Sequence, residues 1–324
     1  MTSDLHRDAV VLDAAAPMAS PRRLRHLLPD LRAGGVDAVL ASVASLEDAR
    51  FAVGELAAWL DLAEGSLPFR LARSVEEIRA AKAAGMLAVV LHFQGGSPIE
   101  TDAALVDVYA RLGVRVVQLT YNFANAIGDG CLEPRDAGLT AFGRNVVQRL
   151  VARRMAVDVS HVGVRTALDA VEVAGPVAPV VATHANARAV CDHPRNLPDE
   201  VVRAIAATGG VVGLCAFPAF VSGSGIATLD QLVAHADHLS ELVGPEHVGL
   251  GFDFADEDED DYLYYGYDPR WYPPPPWVFP AGIGGFAESG NVTEALHARG
   301  YSDGQIRGIL GENFLRAFQA VWGA

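Results

Sequence analysis

Ala156-Val157-Asp158-Val159-Ser160-His161 and Pro179-Val180-Val181-Ala182-Thr183-His184 are two short apolar runs, each closing on a histidine. Runs of this length, rich in β-branched residues, read as buried strands. Side chains alternate across a strand, so Val157, Val159 and His161 are expected on one face, as are Val180, Ala182 and His184. Both histidines then stand on one rim, rigidly held, and imidazole is a common nitrogen donor to zinc and similar ions. A single strand-end histidine is explained as well by a hydrogen bond to a backbone carbonyl. Two consecutive strands that end alike point to a shared metal.

Working outward, six more apolar runs join these two, giving segments 9–14, 36–43, 87–94, 114–121, 156–161, 179–184, 210–217 and 247–253, with helix-like stretches between most of them. That alternation predicts parallel strands with helical crossovers, and eight repeats predict a closed (β/α)8 TIM barrel followed by C-terminal helices. Capping boxes at Ser74…Glu77, Thr228…Gln231 and Ser302…Gln305 mark helix starts. No GxGxxG follows a first strand, so the doubly wound nucleotide-binding alternative lacks its signature. In a barrel of this type the chemistry sits at the C-terminal strand ends. Those ends carry His92 and Gln94, Tyr121 and Asn122, the two histidines, and Asp253, with Gly249, Gly251 and Asp253 expected on a common face.

The 324 residues, 51% of them hydrophobic, suffice for a large core and are read as one domain spanning 1–324. A net charge of −15 argues against nucleic acid or an anionic membrane surface as partner. The N-terminus lacks the pattern of a signal peptide, and three widely spaced cysteines suit a reducing compartment, so a cytoplasmic location is expected. Cys131 has no histidine beside it in sequence and is not expected to be a nucleophile. Residues of about 254–290 read as a long loop: six consecutive acids at 256–261, then Tyr262, Tyr264, Tyr265, Tyr267, Trp271, Tyr272, four prolines and Trp277. Aromatics stiffened by prolines suit a wall or lid over a substrate, or a docking surface for a second subunit.

In order and spacing, the segments Leu119-Thr120-Tyr121-Asn122, Gly138-Leu139-Thr140-Ala141-Phe142-Gly143, Val157-Asp158-Val159-Ser160-His161-Val162, Thr183-His184-Ala185-Asn186-Ala187-Arg188-Ala189 and His193-Pro194-Arg195-Asn196-Leu197-Pro198 resemble the membrane (renal-type) dipeptidase family, peptidase family M19. The likeness continues through Val248-Gly249-Leu250-Gly251-Phe252-Asp253 to Gly311-Glu312-Asn313-Phe314. It implies an amidohydrolase-like barrel and a zinc-dependent hydrolase of dipeptides, often dimeric. It also implies that His161 and His184 bind one zinc, that Arg195, with Asn122 and Tyr121 beside it, holds the substrate, and that Asp253 handles protons near the nucleophilic water.

The departures define a branch. Where the family's first strand supplies a His-x-Asp pair to the other zinc, this chain has Ala15 and Pro17, whose side chains cannot coordinate a metal. Gln94 replaces the bridging glutamate, and a neutral amide is a poorer cation ligand. Tyr121 replaces a histidine that contacts the developing oxyanion; tyrosine can still donate there. The stretch 125–135, Asn-Ala-Ile-Gly-Asp-Gly-Cys-Leu-Glu-Pro-Arg, resembles a branch of the family with the same changes. The expectation is a dipeptidase-like metallohydrolase with one zinc ion on His161 and His184, helped by His92, Gln94 or Asp253. Catalytic roles fall to Asp253 and Tyr121, and the substrate is a small molecule. Metal-free acid–base chemistry of a lyase or isomerase type on a carboxylate-bearing molecule is the alternative, and a noncatalytic binding protein the third reading.

Overall fold

The computed structural model describes residues 2–18, 20–175, 177–223, 226–255 and 258–323. Among the described residues nine strands follow one another: β1 (Leu12–Ala16), β2 (Ala38–Ala44), β3 (Phe69–Leu71), β4 (Leu87–Phe93), β5 (Val114–Gln118), β6 (Ala156–Asp158), β7 (Val180–Val181), β8 (Val212–Leu214) and β9 (Val248–Leu250). All named pairings are parallel, in the order β1-β2-β4-β5-β6-β7 and then β8-β9. A bridge between Ala182 and Val212 carries the sheet from β7 to β8. The ring closes where Asp253 N–H donates to Ala15 O at 3.0 Å and Phe252 N–H to the Asp13 carboxylate at 2.6 Å. The expected (β/α)8 barrel is therefore present. The short β3 was not anticipated. It pairs with the lower half of β4, Leu87–Val89, leaving the upper half to β5.

The two faces of the strands separate cleanly. Leu12, Ala14, Leu40, Val90, Val116, Ala156 and Val181 fill the interior. Val39, Val89, Leu91, Val117 and Val157 pack outward, in a cluster with helix residues such as Leu56, Val146 and Ile205. Doubly apolar strands are what a barrel wrapped in helices requires. The floor is sealed by the helix Asn313–Trp322, whose Phe314, Phe318 and Trp322 rings stack in sequence and join the interior cluster. Gly249 makes room for it, since a Cβ there would lie 2.4 Å from the Phe314 ring.

Helices begin at Val75, Leu229 and Asp303, each capped by the expected Ser74, Thr228 or Ser302 side chain. The 254–290 segment differs from a plain loop. Asp258 caps a short helix, Glu259–Tyr264, in a reciprocal box with Asp261. Acids in a first turn face the positive end of the helix dipole, which accounts for much of the acidic run. Asp256 and Glu257 lie outside the described residues. No helix among the described residues is long and apolar enough to cross a membrane.

Candidate metal centre and active site

The polar groups at the strand ends are placed by interruptions of the strands. β6 stops at Asp158 and β7 at Val181, sooner than the apolar runs suggest. Asp158 Oδ1 accepts from Ser160 N–H at 2.9 Å and from Thr183 N–H at 3.0 Å, and Ser160 Oγ accepts from His184 N–H at 3.1 Å. Side chains thus replace the backbone ladder, and simple alternation fails beyond this point. Val157 and Val159 pack outward, in the same cluster as Val180 and Ala182, so the expected shared face with the histidines is not what positions them. His161 turns into the site through left-handed backbone, with φ at 60°. Asn122 and Asp253 share this unusual conformation, with φ of 60° and 58°. Such backbone is uncommon outside glycine and concentrates at functional sites.

His161, His184 and Asp253 form a buried cluster whose ligand atoms lie within 4.8 Å of one another. His161 Nδ1–H donates to Asn122 Oδ1 at 2.7 Å, since an amide oxygen can only accept. The Thr183 hydroxyl donates to Asp158 Oδ2 at 2.5 Å, so its oxygen accepts His184 Nδ1–H at 2.8 Å. Both Nε2 atoms are left with lone pairs, and they face each other at 2.8 Å. Burial, with Arg195 adding to it, lowers both histidines well below the usual imidazole range, so both are neutral near pH 7. Converging lone pairs repel each other, and the Gln94 amide N–H beside His184 Nε2 answers only one of them, so the pair favours a cation. The donor set, two imidazole nitrogens and a carboxylate, suits zinc.

Asp253 Oδ2 stands 3.9 Å from His184 Nε2. Burial raises its carboxyl to about 6, against the opposing pull of Arg195 and a hydrogen bond from Gln94. Gln94 also donates from Nε2 to His184 Nε2 at 3.0 Å. His92 lies deeper in the barrel. Its Nδ1 is 3.5 Å from Ser42 Oγ and its Nε2 3.3 Å from Asp158 Oδ2, outside the three-residue cluster. Arg195 is only 1% exposed and donates from Nη2 to His184 O at 2.6 Å. Its Nε and Nη1 have no hydrogen-bond partner among the described residues of the protein, so two buried donors, on different edges of the guanidinium, remain for anionic oxygens.

Above the cluster lies a cavity of about 120 Å3, whose wall includes Pro17, Gln94, Tyr121, His161 and Asp253. The aromatic segment closes it with Tyr265, Tyr267, Tyr272 and Trp277. Tyr121 stacks on His161 with centroids 4.3 Å apart, and its hydroxyl meets that of Tyr267 at 2.6 Å. The Tyr272 hydroxyl donates to Asn122 Oδ1 at 3.0 Å. Cys131 also points its thiol at Asn122, and burial pushes it up to about 11, far from a reactive thiolate. At the end of β1, Ala15 is buried and offers only its carbonyl to Asp253. Thr183 and Asp158 were given no role from sequence, and Tyr272 only that of one aromatic in a wall or lid. Polar residues inside apolar runs were the available signal for the first two, since buried polar groups need partners.

A barrel of parallel strands with histidines and an aspartate gathered at their C-terminal ends is the architecture of the amidohydrolase-like enzymes. The sequence profile of the membrane dipeptidases, peptidase family M19, matches residues 4–261, and the chain belongs to that family. A protein from the pqqA 5′ region of Klebsiella pneumoniae is 31% identical over 263 residues, covering 78% of this chain and 89% of its own length. Mouse dipeptidase 3 is 27% identical over 241 residues, which is 72% of this chain but 45% of that protein. The crystal structure of an amidohydrolase from Pseudomonas aeruginosa superimposes with a TM-score of 0.90 at 31% identity, covering 100% of this chain and 99% of that one. The chain is a dipeptidase-like hydrolase.

Proposed function

We propose that this hydrolase works with a single zinc ion, held by His161 Nε2, His184 Nε2 and Asp253, and cleaves a small amide or dipeptide-like substrate that carries a carboxylate. The observation that carries this reading is the pair of converging, unprotonated Nε2 atoms beside a carboxylate. Ala15 and Pro17 leave the neighbouring position without ligand side chains, which favours one ion over two. When bound, such an ion makes hydroxide available near neutral pH and polarises a carbonyl.

The protein's own groups divide the remaining work. Arg195 offers its positive charge and its free Nε–H and Nη1–H donors to the substrate carboxylate. Asp253 takes the proton of the attacking water and returns it to the departing amine. Tyr121, held flat on His161, donates its hydroxyl proton toward the carbonyl oxygen of the scissile bond. The aromatic segment keeps bulk water from the site.

The test is hydrolysis of a dipeptide panel by wild type, His161→Ala and His184→Ala. Wild-type turnover that chelation removes and zinc restores, with both variants falling by about a thousandfold or more, is expected. Full turnover in either variant, or after thorough stripping of metal, would contradict the reading.

A further inference from the structure

A line of buried polar groups runs through the barrel behind His184 and takes no part in the chemistry described above. Ser42 Oγ lies 3.5 Å from His92 Nδ1, and His92 Nε2 lies 3.3 Å from Asp158 Oδ2. Asp158 Oδ2 accepts from the Thr183 hydroxyl at 2.5 Å, whose oxygen is 2.8 Å from His184 Nδ1. Ser42, His92, Asp158, Thr183 and His184 are all at most 4% exposed. Burying a carboxylate and two imidazoles costs several kcal/mol unless each is paired, so an apolar core would be the cheaper construction in the absence of a task.

We propose that Thr183 and Asp158 are positioning residues that fix the tautomer of His184. A threonine hydroxyl has one proton and can either donate to or accept from His184 Nδ1. Asp158 decides between the two. It is an acceptor held against the hydroxyl, so the threonine proton goes to the carboxylate and the hydroxyl oxygen must accept. His184 therefore carries its proton on Nδ1 and keeps the Nε2 lone pair aimed at His161 and Asp253. Burial pushes the Asp158 carboxyl up, but the pairing with His92 and the Thr183 hydrogen bond outweigh it and hold the group well below the usual range. His92, a candidate ligand by sequence, stands beside Asp158 instead, with Nε2 3.3 Å from Oδ2. The arrangement is a carboxylate–histidine pair of the kind that supports bound metals, with a hydroxyl interposed. Its purpose rests on the single-ion reading above; the tautomer itself does not.

The experiment is 15N NMR of histidine-labelled, metal-free protein, with the His184 signals assigned by their loss in His184→Gln. Wild type should show His184 protonated at Nδ1 and a bare Nε2. Thr183→Val, which keeps the shape and removes the hydroxyl, should shift His184 toward the Nε2–H form, and Thr183→Ser should restore the wild-type pattern. In parallel, cobalt(II) titration followed by its visible absorption should show affinity weakened about 10- to 100-fold in Thr183→Val and recovered in Thr183→Ser. A wild-type His184 protonated at Nε2 overturns the proposal without any variant having to fold. So does a Thr183→Val protein with unchanged tautomer and cobalt affinity. Failure of wild type to bind cobalt at all would instead remove the single-ion reading, leaving the tautomer measurement to decide this one.

Discussion

Single residues set the electrostatics of this barrel, and Asp13 is the clearest case outside the candidate metal centre. Its carboxyl is fully buried, accepts from Phe252 N–H, and is raised by burial from 3.8 to about 8. Unfolded, it ionises near 4; folded, it keeps its proton. Stability from this group is therefore complete below about pH 4 and declines as pH rises toward 8, by up to about 1.4 kcal/mol per unit. Asp13→Asn keeps an acceptor for Phe252 and removes the titration. The Tm of the variant should gain on wild type between pH 5 and pH 8, and a difference that stays constant across that range would show that Asp13 does not titrate in this way. The same local detail explains what sequence reading gained and lost at the site. His161, His184 and Asp253 were legible as strand-end residues, and Arg195 only through family likeness. The route by which they meet was not, because alternation assumes a regular ladder. Asp158 and Ser160 break that ladder, and His161 and Asp253 leave it in left-handed backbone.

Among the elements, the strands were legible because each is an apolar run long enough to stand out. β3 was not: Phe69-Arg70-Leu71 is three residues with a charge in the middle, and only pairing with β4 makes it a strand. The helix Glu259–Tyr264 was hidden by its acids, which read as part of a long loop although Asp258 is a cap. The aromatic segment behind it does line the cavity, as one reading of its composition proposed. Trp277 packs edge-on against Phe217 at 4.7 Å and ties its indole N–H to Pro273 O. Trp277→Ala should open the wall without touching the ligand cluster. A rise in KM of roughly tenfold with kcat little changed is expected for a group that binds ground and transition states alike. A fall confined to kcat would place Trp277 in the chemistry instead.

For the molecule as a whole, the strand ends can hold a strained site because the opposite end is tightly closed. Phe314 plugs the floor against Gly249 and Gly213, where added Cβ atoms would meet its ring at 2.4 Å and 3.2 Å. Gly249→Ala should destabilise by about 1–3 kcal/mol through overpacking. Phe314→Ala should cost about 3–5 kcal/mol through the void it leaves. The double variant should lose clearly less than the sum, since each change relieves the other, whereas strict additivity in urea unfolding would mean that the two do not meet. On the proposed reading, what the barrel presents at its other end is a place for one ion. Metal content per chain, by elemental mass spectrometry of the purified, tag-free protein after dialysis against metal-free buffer, decides this. Wild type should retain about one zinc per chain and His184→Ala essentially none; two ions per chain, or none in wild type, would contradict a mononuclear centre on His161, His184 and Asp253.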